Sequence, residues 1–236
     1  MNKQKVAVVT GGAQGIGKAI CEAFSKQGVS VCTIDIKEND YFVGDIADDT
    51  VLKSFAAKVI SDYGKIDFLI NNACLTKGGL NNCSYEDFNY VLRIGVSAPF
   101  LLTQLFTDHL NPGASIVNIS STRHQMSQAN TESYSAAKGG ISALTHAMAV
   151  TLSGKARVNA ISPGWIDTSN TQFEGADANQ HPAGRVGKPA DIVNAVMFLC
   201  DAKSSFITGQ DITVDGGMTK LMIYHDDQGW SYNPEK

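Results

Sequence analysis

The feature that most constrains the fold lies near the start of the chain, where a short apolar run meets a cluster of glycines. Residues 6–9 read Val-Ala-Val-Val, which is typical of a buried strand, and residues 18–27 have a helical pattern. The turn between them carries glycine at positions 11, 12, 15 and 17. Glycines let the backbone approach a pyrophosphate, and the N–H groups at a helix start favour negative charge. The turn therefore predicts a dinucleotide-binding unit.

The same turn also resembles the phosphate loop of nucleoside triphosphatases. Gly12, Gly17 and Lys18 occupy matching positions. Ala19, however, stands where that loop needs a Ser or Thr hydroxyl to hold magnesium. We therefore favour the dinucleotide.

A carboxylate at the end of the second predicted strand indicates which dinucleotide binds. Asp35 follows Gly17 by 18 positions (35 − 17), close to the spacing of about 20 for a carboxylate that binds the adenosine ribose. Neither Gln14 nor Ile36 is basic, although Lys37 is near. A 2′-phosphate would therefore meet Asp35 without an obvious counter-charge. The pattern predicts NAD rather than NADP, and an ordinary turn residue is the alternative role for Asp35.

The rest of the chain alternates strands with helices, which predicts a Rossmann-like, doubly wound parallel sheet in a three-layer α/β/α fold. Only ten residues separate Asp35 from Asp45 (45 − 35), and a short strand lies between them, so the helix between strands 2 and 3 is predicted to be missing. Residues 1–236 are expected to form one NAD(P)-binding domain with a tail at 219–236. Predicted strands cover residues 41–43, 66–70, 114–119, 157–161 and 211–214, and predicted helices cover residues 48–63, 84–109 with a bend near Pro99, 134–153 and 189–200.

Composition excludes several classes of function. The net charge is −4 with Lys and Arg scattered along the chain, so a nucleic-acid partner is not expected. We identified no apolar run approaching the roughly 18 residues of a membrane span, and the N-terminus lacks the apolar core of a signal peptide. The five cysteines never form a C-x-x-C pair, and the five histidines lack metal-ligand spacing. We expect a cytoplasmic protein with no metal site.

A tyrosine and a lysine four residues apart, Tyr134 and Lys138, supply the candidate chemistry. On a helix, this spacing puts both side chains on one face. A nearby cation and a helix N-terminus are both expected to lower a tyrosine pKa from its usual value of about 10. The pair is then suited to proton transfer. Taken alone, such a pair more commonly forms a solvated helix face.

Several further motifs between residues 5 and 218 resemble those of the short-chain dehydrogenase/reductase family, in the same order along the chain as in that family. Ser121 precedes Tyr134 by thirteen residues (134 − 121), which is the family's spacing between its serine and tyrosine. The Asn-Asn-Ala run at 71–73 and the Pro-Gly stretch at 163–164 also match. The resemblance implies that Ser121, Tyr134 and Lys138 are catalytic.

The resemblance also implies the cofactor site. Asp45 would contact the adenine ring, and the Ile166 backbone and Thr168 hydroxyl would contact the carboxamide of the nicotinamide. The complete implied set is Thr10, Gly11, Gln14, Gly15, Ile16, Gly17, Asp35, Ile36, Asp45, Ile46, Asn72, Ala73, Tyr134, Lys138, Pro163, Gly164, Ile166 and Thr168.

Two positions depart from the family pattern. Cys74 replaces the usual glycine after the Asn-Asn-Ala run, a change expected to alter only local packing. Gly95 stands where many members carry an asparagine that holds a relay water. Its loss implies slower proton exchange with solvent, without loss of the serine, tyrosine and lysine chemistry.

The implied activity is NAD-dependent interconversion of a secondary alcohol and a ketone, with Tyr134 as acid and base. Residues 169–188 are expected to form a polar lid, which favours a small hydroxylated substrate such as a sugar or polyol. Two alternatives stay open: a 3-oxoacyl-type or other carbonyl reductase using NADP, and a catalytically weak sensor that binds the cofactor. Four residues are candidate substrate contacts, or else solvated loop residues: Arg123, His124, His181 and Arg185.

The helices at 84–109 and 134–153 carry more apolar residues than one sheet face can bury, which indicates a further partner. Together with the resemblance, this predicts a homotetramer or homodimer. The tail at 219–236 contains Leu221 and Trp230 among other apolar residues. We expect it to pack at a subunit interface, with a partly ordered tail as the alternative.

Overall fold

A seven-stranded parallel sheet forms the centre of the computed structural model, which describes residues 4–231. The strands lie in the order β3-β2-β1-β4-β5-β6-β7. Strands β2 and β3 are therefore added on one side of β1, and β4 to β7 on its other side, so the order of the strands reverses between β1 and β4. Parallel sheets of this kind bind ligands at the carboxyl edge, where the order reverses. The strands are β1 (Val6–Thr10), β2 (Ser30–Asp35), β3 (Phe42–Val43), β4 (Ile66–Asn71), β5 (Leu110–Ile119), β6 (Ala156–Pro163) and β7 (Asp211–Val214).

Helices cover both faces of the sheet, which confirms the predicted three-layer fold. Two apolar clusters of buried side chains separate the layers. One, on the face of α2, α4 and α5, includes Phe55 and Leu102, and the other, beneath α1 and α7, includes Phe24 and Ile192. The helices are α1 (Gly15–Lys26), α2 (Asp49–Tyr63), α3 (Tyr85–Leu92), α4 (Ala98–Phe106), α5 (Glu132–Thr151), α6 (Ala176–Asn179) and α7 (Pro189–Cys200).

The connection between β2 and β3 contains no helix, as the short spacing predicted. Asn39 holds this loop together through its side-chain amide. Its Nδ2 donates to the carbonyls of Lys37 at 3.0 Å and Phe42 at 2.9 Å, and its Oδ1 accepts from the N–H of Tyr41 and of Phe42 at 3.0 Å each. One side-chain amide thus closes the loop with four hydrogen bonds.

The helical stretch predicted for residues 84–109 is interrupted earlier than expected. A π-helical segment, Arg93–Ser97, separates α3 from α4 and ends two residues before Pro99, near which the sequence predicted a bend. Pro99 lies in the first turn of α4, where a missing N–H costs nothing. A Cβ added to Gly95 would lie 2.8 Å from the Cβ of Ala137 in α5. The segment therefore packs on α5 more closely than any larger residue at position 95 allows.

This same stretch, Tyr85–His109, has the length and mean hydropathy of a membrane span. A core helix of a globular protein passes the same test. Here Val91, Ile94, Leu102 and Phe106 are buried against the rest of the chain. Within the described residues, no other helix meets both conditions.

The apolar residues of the two helices predicted to form interfaces divide into two groups. Several are buried within the chain itself, including Leu102, Ile141 and Met148. Val150 in α5, in contrast, is exposed. For the tail at 219–236, residues 232–236 lie outside the described part of the chain.

Candidate active site

The glycine turn between β1 and α1 forms a close cradle of backbone. Gly11 has a φ of +67°, and its N–H donates to the carbonyl of Ile34 at 2.8 Å. A Cβ at Gly17 would lie 2.1 Å from the carbonyl oxygen of Gly11 and 2.5 Å from Nδ2 of Asn72. These glycines let the start of α1 approach β1 and β4. The N–H groups of α1 consequently open towards the cleft, as a bound pyrophosphate requires.

A cleft of about 540 Å³ begins at this turn and runs along the carboxyl edge of β2. Its walls include most of the residues predicted to bind the cofactor, so the cleft fits a dinucleotide. These are Gly11, Gln14, Gly15, Ile16, Gly17, Asp35, Ile36, Asp45, Ile46, Asn72, Ala73 and Thr168.

Thr10 lies beneath the cleft and supports it. Its hydroxyl oxygen accepts from the N–H groups of Asn72 and Ala73, each at 3.0 Å. The amide of Asn72 donates in return to the carbonyls of Thr10 at 3.0 Å and Gly11 at 3.1 Å. The side chain of Thr10, which was predicted to contact the cofactor, thus links β1 to the residues after β4 through hydrogen bonds.

Asp35 is 8% exposed and lies in the wall of the cleft. Its two carboxylate oxygens accept from the N–H of Ala13 at 3.0 Å and of Lys37 at 2.9 Å. The Lys37 ammonium reaches across to Oε1 of Gln14. The carboxylate is therefore held in a fixed orientation, and the Lys37 ammonium lies beside Gln14 of the cleft wall.

Asp45 has a partner that sequence reasoning missed. The hydroxyl of Tyr90, on α3, donates to Oδ2 of Asp45 at 2.8 Å, while Oδ1 accepts from the N–H of Ala47 at 2.9 Å. Burial and this carboxylate raise the pKa of Tyr90. Nothing local in the sequence connects the two positions, because the contact depends on how α3 packs. Tyr90, Cys74, Leu75 and Ile94 all line the cleft without having been predicted.

The residues predicted to be catalytic, Ser121, Tyr134 and Lys138, meet beyond the carboxyl end of β5. Ser121 and Tyr134 line a second cavity of about 680 Å³. Lys138, one turn along α5, is 3% exposed, and its ammonium donates to the carbonyl of Ile119 at 2.7 Å. The same nitrogen lies 5.3 Å from the centre of the Tyr134 ring. The spacing of four residues therefore places the cation beside the phenol.

The pKa of Tyr134 lies above its usual value, against the expected lowering. Burial is the largest cause, and the adjacent thiol of Cys74 adds to the increase. A side-chain hydrogen bond with Ser121 and the charge of Arg123 oppose it. The prediction for the pKa was wrong in direction, because the low polarity around the ring outweighs these two contacts.

Cys74 is more than a packing substitution, because it interacts with the phenol of Tyr134. Its side chain lines the cofactor cleft, and a hydrogen bond to Tyr134 favours the neutral phenol over the phenolate. A glycine at this position has no side chain to provide that contact. The departure therefore bears on acid-base chemistry as well as on packing.

A buried polar network lies behind Ser121 and was also missed. The carboxylate of Asp211, on β7, accepts from the hydroxyls of Ser142 and Ser162 at 2.6 Å each. Ser142 contacts the hydroxyl of Ser120 at 2.8 Å. His124 Nδ1 lies 2.6 Å from the carbonyl oxygen of Ser121 and 3.3 Å from the Ser162 hydroxyl. His124, proposed as a substrate contact, instead braces the backbone of Ser121.

The lid predicted at residues 169–188 contains a loop and the short helix α6. Phe173 of this segment packs against Trp165, and the centres of the two rings lie 4.8 Å apart. His181 is 2% exposed and does not line the substrate cavity. Arg185 forms a two-pronged ion pair with Asp191, at 2.7 Å for each contact. Neither of these two lid residues is placed as a substrate contact in this structure.

The Pro-Gly stretch borders the second cavity and does not line the first. Gly164 lines the second cavity, and a Cβ there would lie 2.6 Å from that of Asp215. Pro163 ends β6 opposite Val214. Ile166 pairs with Gly187 at the base of the lid. Among residues 4–231, no group of three or more His, Cys, Asp or Glu side chains is arranged to hold a metal ion.

A glycine cradle at the carboxyl edge of a parallel sheet, beside a serine, tyrosine and lysine, defines an oxidoreductase that uses a nicotinamide dinucleotide. The family model described as Enoyl-(Acyl carrier protein) reductase matches residues 11–219. The chain belongs to the short-chain dehydrogenase/reductase family.

Four similar proteins illustrate the range of this family. An uncharacterized oxidoreductase of Thermotoga maritima is 39% identical over 96% of this chain and 100% of its own length. The 3-oxoacyl-[acyl-carrier-protein] reductase FabG of the same organism is 34% identical over 91% of this chain and 97% of its own. An apo SCOR enzyme structure from Clostridium thermocellum is 46% identical, covers 99% of both chains and has a TM-score of 0.91. The ligand-free aldohexose dehydrogenase of Thermoplasma acidophilum is 27% identical, covers 93% of this chain and 96% of its own, and has a TM-score of 0.86.

Proposed function

We propose that this protein is an NAD-dependent dehydrogenase that interconverts a secondary alcohol and a ketone. One observation carries the proposal: Ser121 and Tyr134 line one cavity, with Lys138 buried beside the phenol. A hydroxyl and a phenol on one wall can hold a single substrate oxygen between them. This arrangement serves proton transfer at a carbinol or carbonyl.

Each of the three residues has a distinct role. Ser121 donates a hydrogen bond to the substrate oxygen and steadies the charge that develops there. Tyr134 takes the proton from the alcohol during oxidation and returns it during reduction. Lys138 holds the ribose hydroxyls of the cofactor and supplies positive charge beside the phenolate. When bound, the nicotinamide ring accepts or donates the hydride.

The preference for NAD rests on Asp35. Its carboxylate is buried in the cleft wall and fixed by two backbone N–H groups. It is therefore oriented to accept from the ribose hydroxyls, and a 2′-phosphate at the same place would meet like charge. One observation favours the runner-up, a carbonyl reductase using NADP: the ammonium of Lys37 lies beside Gln14 of the cleft wall.

The test is a panel of secondary alcohols and ketones, read with NAD(H) and NADP(H) by the absorbance of the reduced nicotinamide. We expect turnover with sugars or polyols and a higher kcat/KM with NAD. A higher kcat/KM with NADP would contradict the cofactor assignment. Cofactor binding without turnover on any substrate would favour the sensor.

A small hydroxylated substrate is supported by the walls of the second cavity. They carry the polar side chains of Thr76, Thr131 and Gln180 beside Trp165. The similarity to an aldohexose dehydrogenase points in the same direction. A long acyl chain would leave most of these polar groups without partners.

We also propose a cytoplasmic homotetramer, with a homodimer as the smaller alternative. Two observations support assembly and compartment: large apolar side chains are exposed on α4, α5 and α7 (Phe100, Val150 and Phe198), and all five cysteines are free thiols. Sedimentation of the full chain and of a chain stopped after Lys220 tests the assembly and the tail. A stable monomer of the full chain would overturn the proposed assembly. An unchanged oligomer after truncation would show that the tail is not part of the interface.

A further inference from the structure

The second cavity has one charged side chain among its described lining residues, and that charge is positive. Arg123 supplies the guanidinium, while the other lining residues are neutral. Arg123 also borders a smaller neighbouring cavity of about 270 Å³, which extends to Leu221 and Ile223 of the tail. A substrate held by Ser121 and Tyr134 therefore meets an arginine as the dominant electrostatic feature of its pocket.

The partners of Arg123 differ from those of the other arginines with ion pairs. Within residues 4–231, Arg93 pairs with Glu86 and Arg185 pairs with Asp191, but no carboxylate lies within ion-pair distance of Arg123. In the part of the chain that the structure describes, its Nη2 donates only to the neutral amide oxygen of Gln128. A guanidinium has five N–H donors in a planar fork, so this contact leaves most of its hydrogen-bonding capacity for a ligand.

The backbone fixes Arg123 close to the reacting oxygen. Its N–H donates to the Ser121 hydroxyl oxygen at 3.2 Å, and the 3₁₀ turn Thr122–His124 is closed by the N–H of His124 donating to the Ser121 carbonyl at 3.1 Å. The Arg123 side chain lines the same cavity as Ser121 and Tyr134. A group bound by this guanidinium consequently lies in the cavity that holds the reacting oxygen.

The charge of Arg123 also reaches Tyr134. It lowers the pKa of the phenol, against the stronger effect of burial. A fixed cation in a partly enclosed wall attracts anions, and a guanidinium matches a carboxylate or phosphate with two parallel hydrogen bonds. A neutral polyol would leave this charge without a counter-ion.

We therefore propose that the substrate is a short hydroxy compound with an anionic group, a carboxylate or a phosphate, that is bound by Arg123. The inference rests on the proposed function, since it names the substrate class of the same site. It changes the expectation of a neutral sugar or polyol to that of an acid derivative.

The experiment compares probes that differ only in the anionic group. Gluconate is paired with sorbitol, 3-hydroxybutyrate with 1,3-butanediol, and glycerol 3-phosphate with glycerol. The first two pairs test a carboxylate and the third tests a phosphate. For wild type, we expect kcat/KM for at least one anionic probe to exceed that of its neutral partner by about 10- to 100-fold, the range for a charge-assisted hydrogen bond.

The variants locate this preference. Arg123→Gln should remove most of it, and Arg123→Lys should retain part of it. Lys155→Gln removes the same charge from an exposed ion pair with Asp108 and should leave the ratio unchanged. The readout is the ratio of kcat/KM for the anionic probe to kcat/KM for its neutral partner. Loss of Arg123 also changes the pKa of Tyr134, but this change affects both members of a pair alike and cancels in the ratio. Quenching of protein fluorescence by each probe gives an independent measure of binding, because Trp165 lines the cavity.

Three outcomes separate the two proposals. Loss of the anion preference in Arg123→Gln alone supports the inference. Turnover of neutral probes at equal or higher kcat/KM, unchanged by Arg123→Gln, overturns the inference and leaves the dehydrogenase intact. No turnover of any probe or of the wider alcohol panel with either cofactor overturns the proposed function itself, and fluorescence binding then still decides whether Arg123 selects anions.

Discussion

The two halves of the site are built in different ways. The cofactor cleft is built from short motifs at strand ends: the glycine turn, Asp35 and the Asn-Asn-Ala run lie at the carboxyl ends of β1, β2 and β4. The second cavity, proposed to hold the substrate, joins side chains from the loop after β5, from α5, from the lid and from Met218, just before the tail. The first half therefore suits a ligand common to a whole family. The second half can change its ligand through a few side chains, of which Arg123 is the charged one.

The largest expected effect falls where the two halves meet. Tyr134→Phe removes the proton-transfer group but leaves the ring, so cofactor binding should persist while turnover falls by about 10²–10⁴-fold. Cofactor binding by calorimetry and single-turnover kinetics measure the two separately. Near-normal turnover in this variant would mean that another group carries the proton.

A second prediction concerns the backbone construction of the cofactor cleft. Gly17→Ala places a methyl group 2.1 Å from the Gly11 carbonyl oxygen, and overpacking of this kind typically costs about 1–3 kcal/mol. We expect weaker dinucleotide binding, a lower Tm, or both. Gly139→Ala, where no atom lies within 4 Å of the added methyl, is the matched control. Equal behaviour of the two variants would argue against a close cradle.

A third prediction separates charge from shape in the same cleft. Asp35→Ala removes the proposed ribose acceptor, so kcat/KM with NAD should fall by about 10- to 100-fold, the worth of a charge-assisted hydrogen bond. The value with NADP should fall less, because repulsion of the phosphate is relieved. Asp40→Ala makes the same charge change on an exposed part of the adjoining loop and should preserve the preference. A preference unchanged by Asp35→Ala would remove this residue from cofactor selection.

The smallest expected effect comes from Cys74, a residue of the cofactor cleft that contacts Tyr134, and it appears in the pH profile. Cys74 raises the pKa of Tyr134, so Cys74→Gly should lower it and increase the fraction of phenolate at a given pH. Alcohol oxidation requires the phenolate. The rising limb of the plot of kcat/KM for oxidation against pH should therefore move to lower pH in this variant. Cys83→Ser should leave the limb in place. A shift to higher pH in Cys74→Gly would contradict the assigned contact.

Much of the fold followed from local patterns. The alternation of strands and helices, and the loss of the crossover helix after β2, were both predictable because short apolar runs and a ten-residue spacing leave few alternatives. The start of β5 at Leu110, four residues before the predicted position 114, was not. Residues 111–113 (Asn-Pro-Gly) have no strand pattern, and β5 extends back to Leu110 because Leu110 pairs with Ile66 of β4 across a register shift.

The sequence by itself determined the glycine turn, the place of Asp35 and the shared helix face of Tyr134 and Lys138, because each depends on residues close together in the chain. Only the tertiary structure decided that Tyr90 contacts Asp45, that Asp211 accepts from the hydroxyls of Ser142 and Ser162, and that Gly95 must stay small beside Ala137. It also reversed the expected pKa of Tyr134. Burial and contacts between distant segments set these properties, and both arise only when the layers pack together.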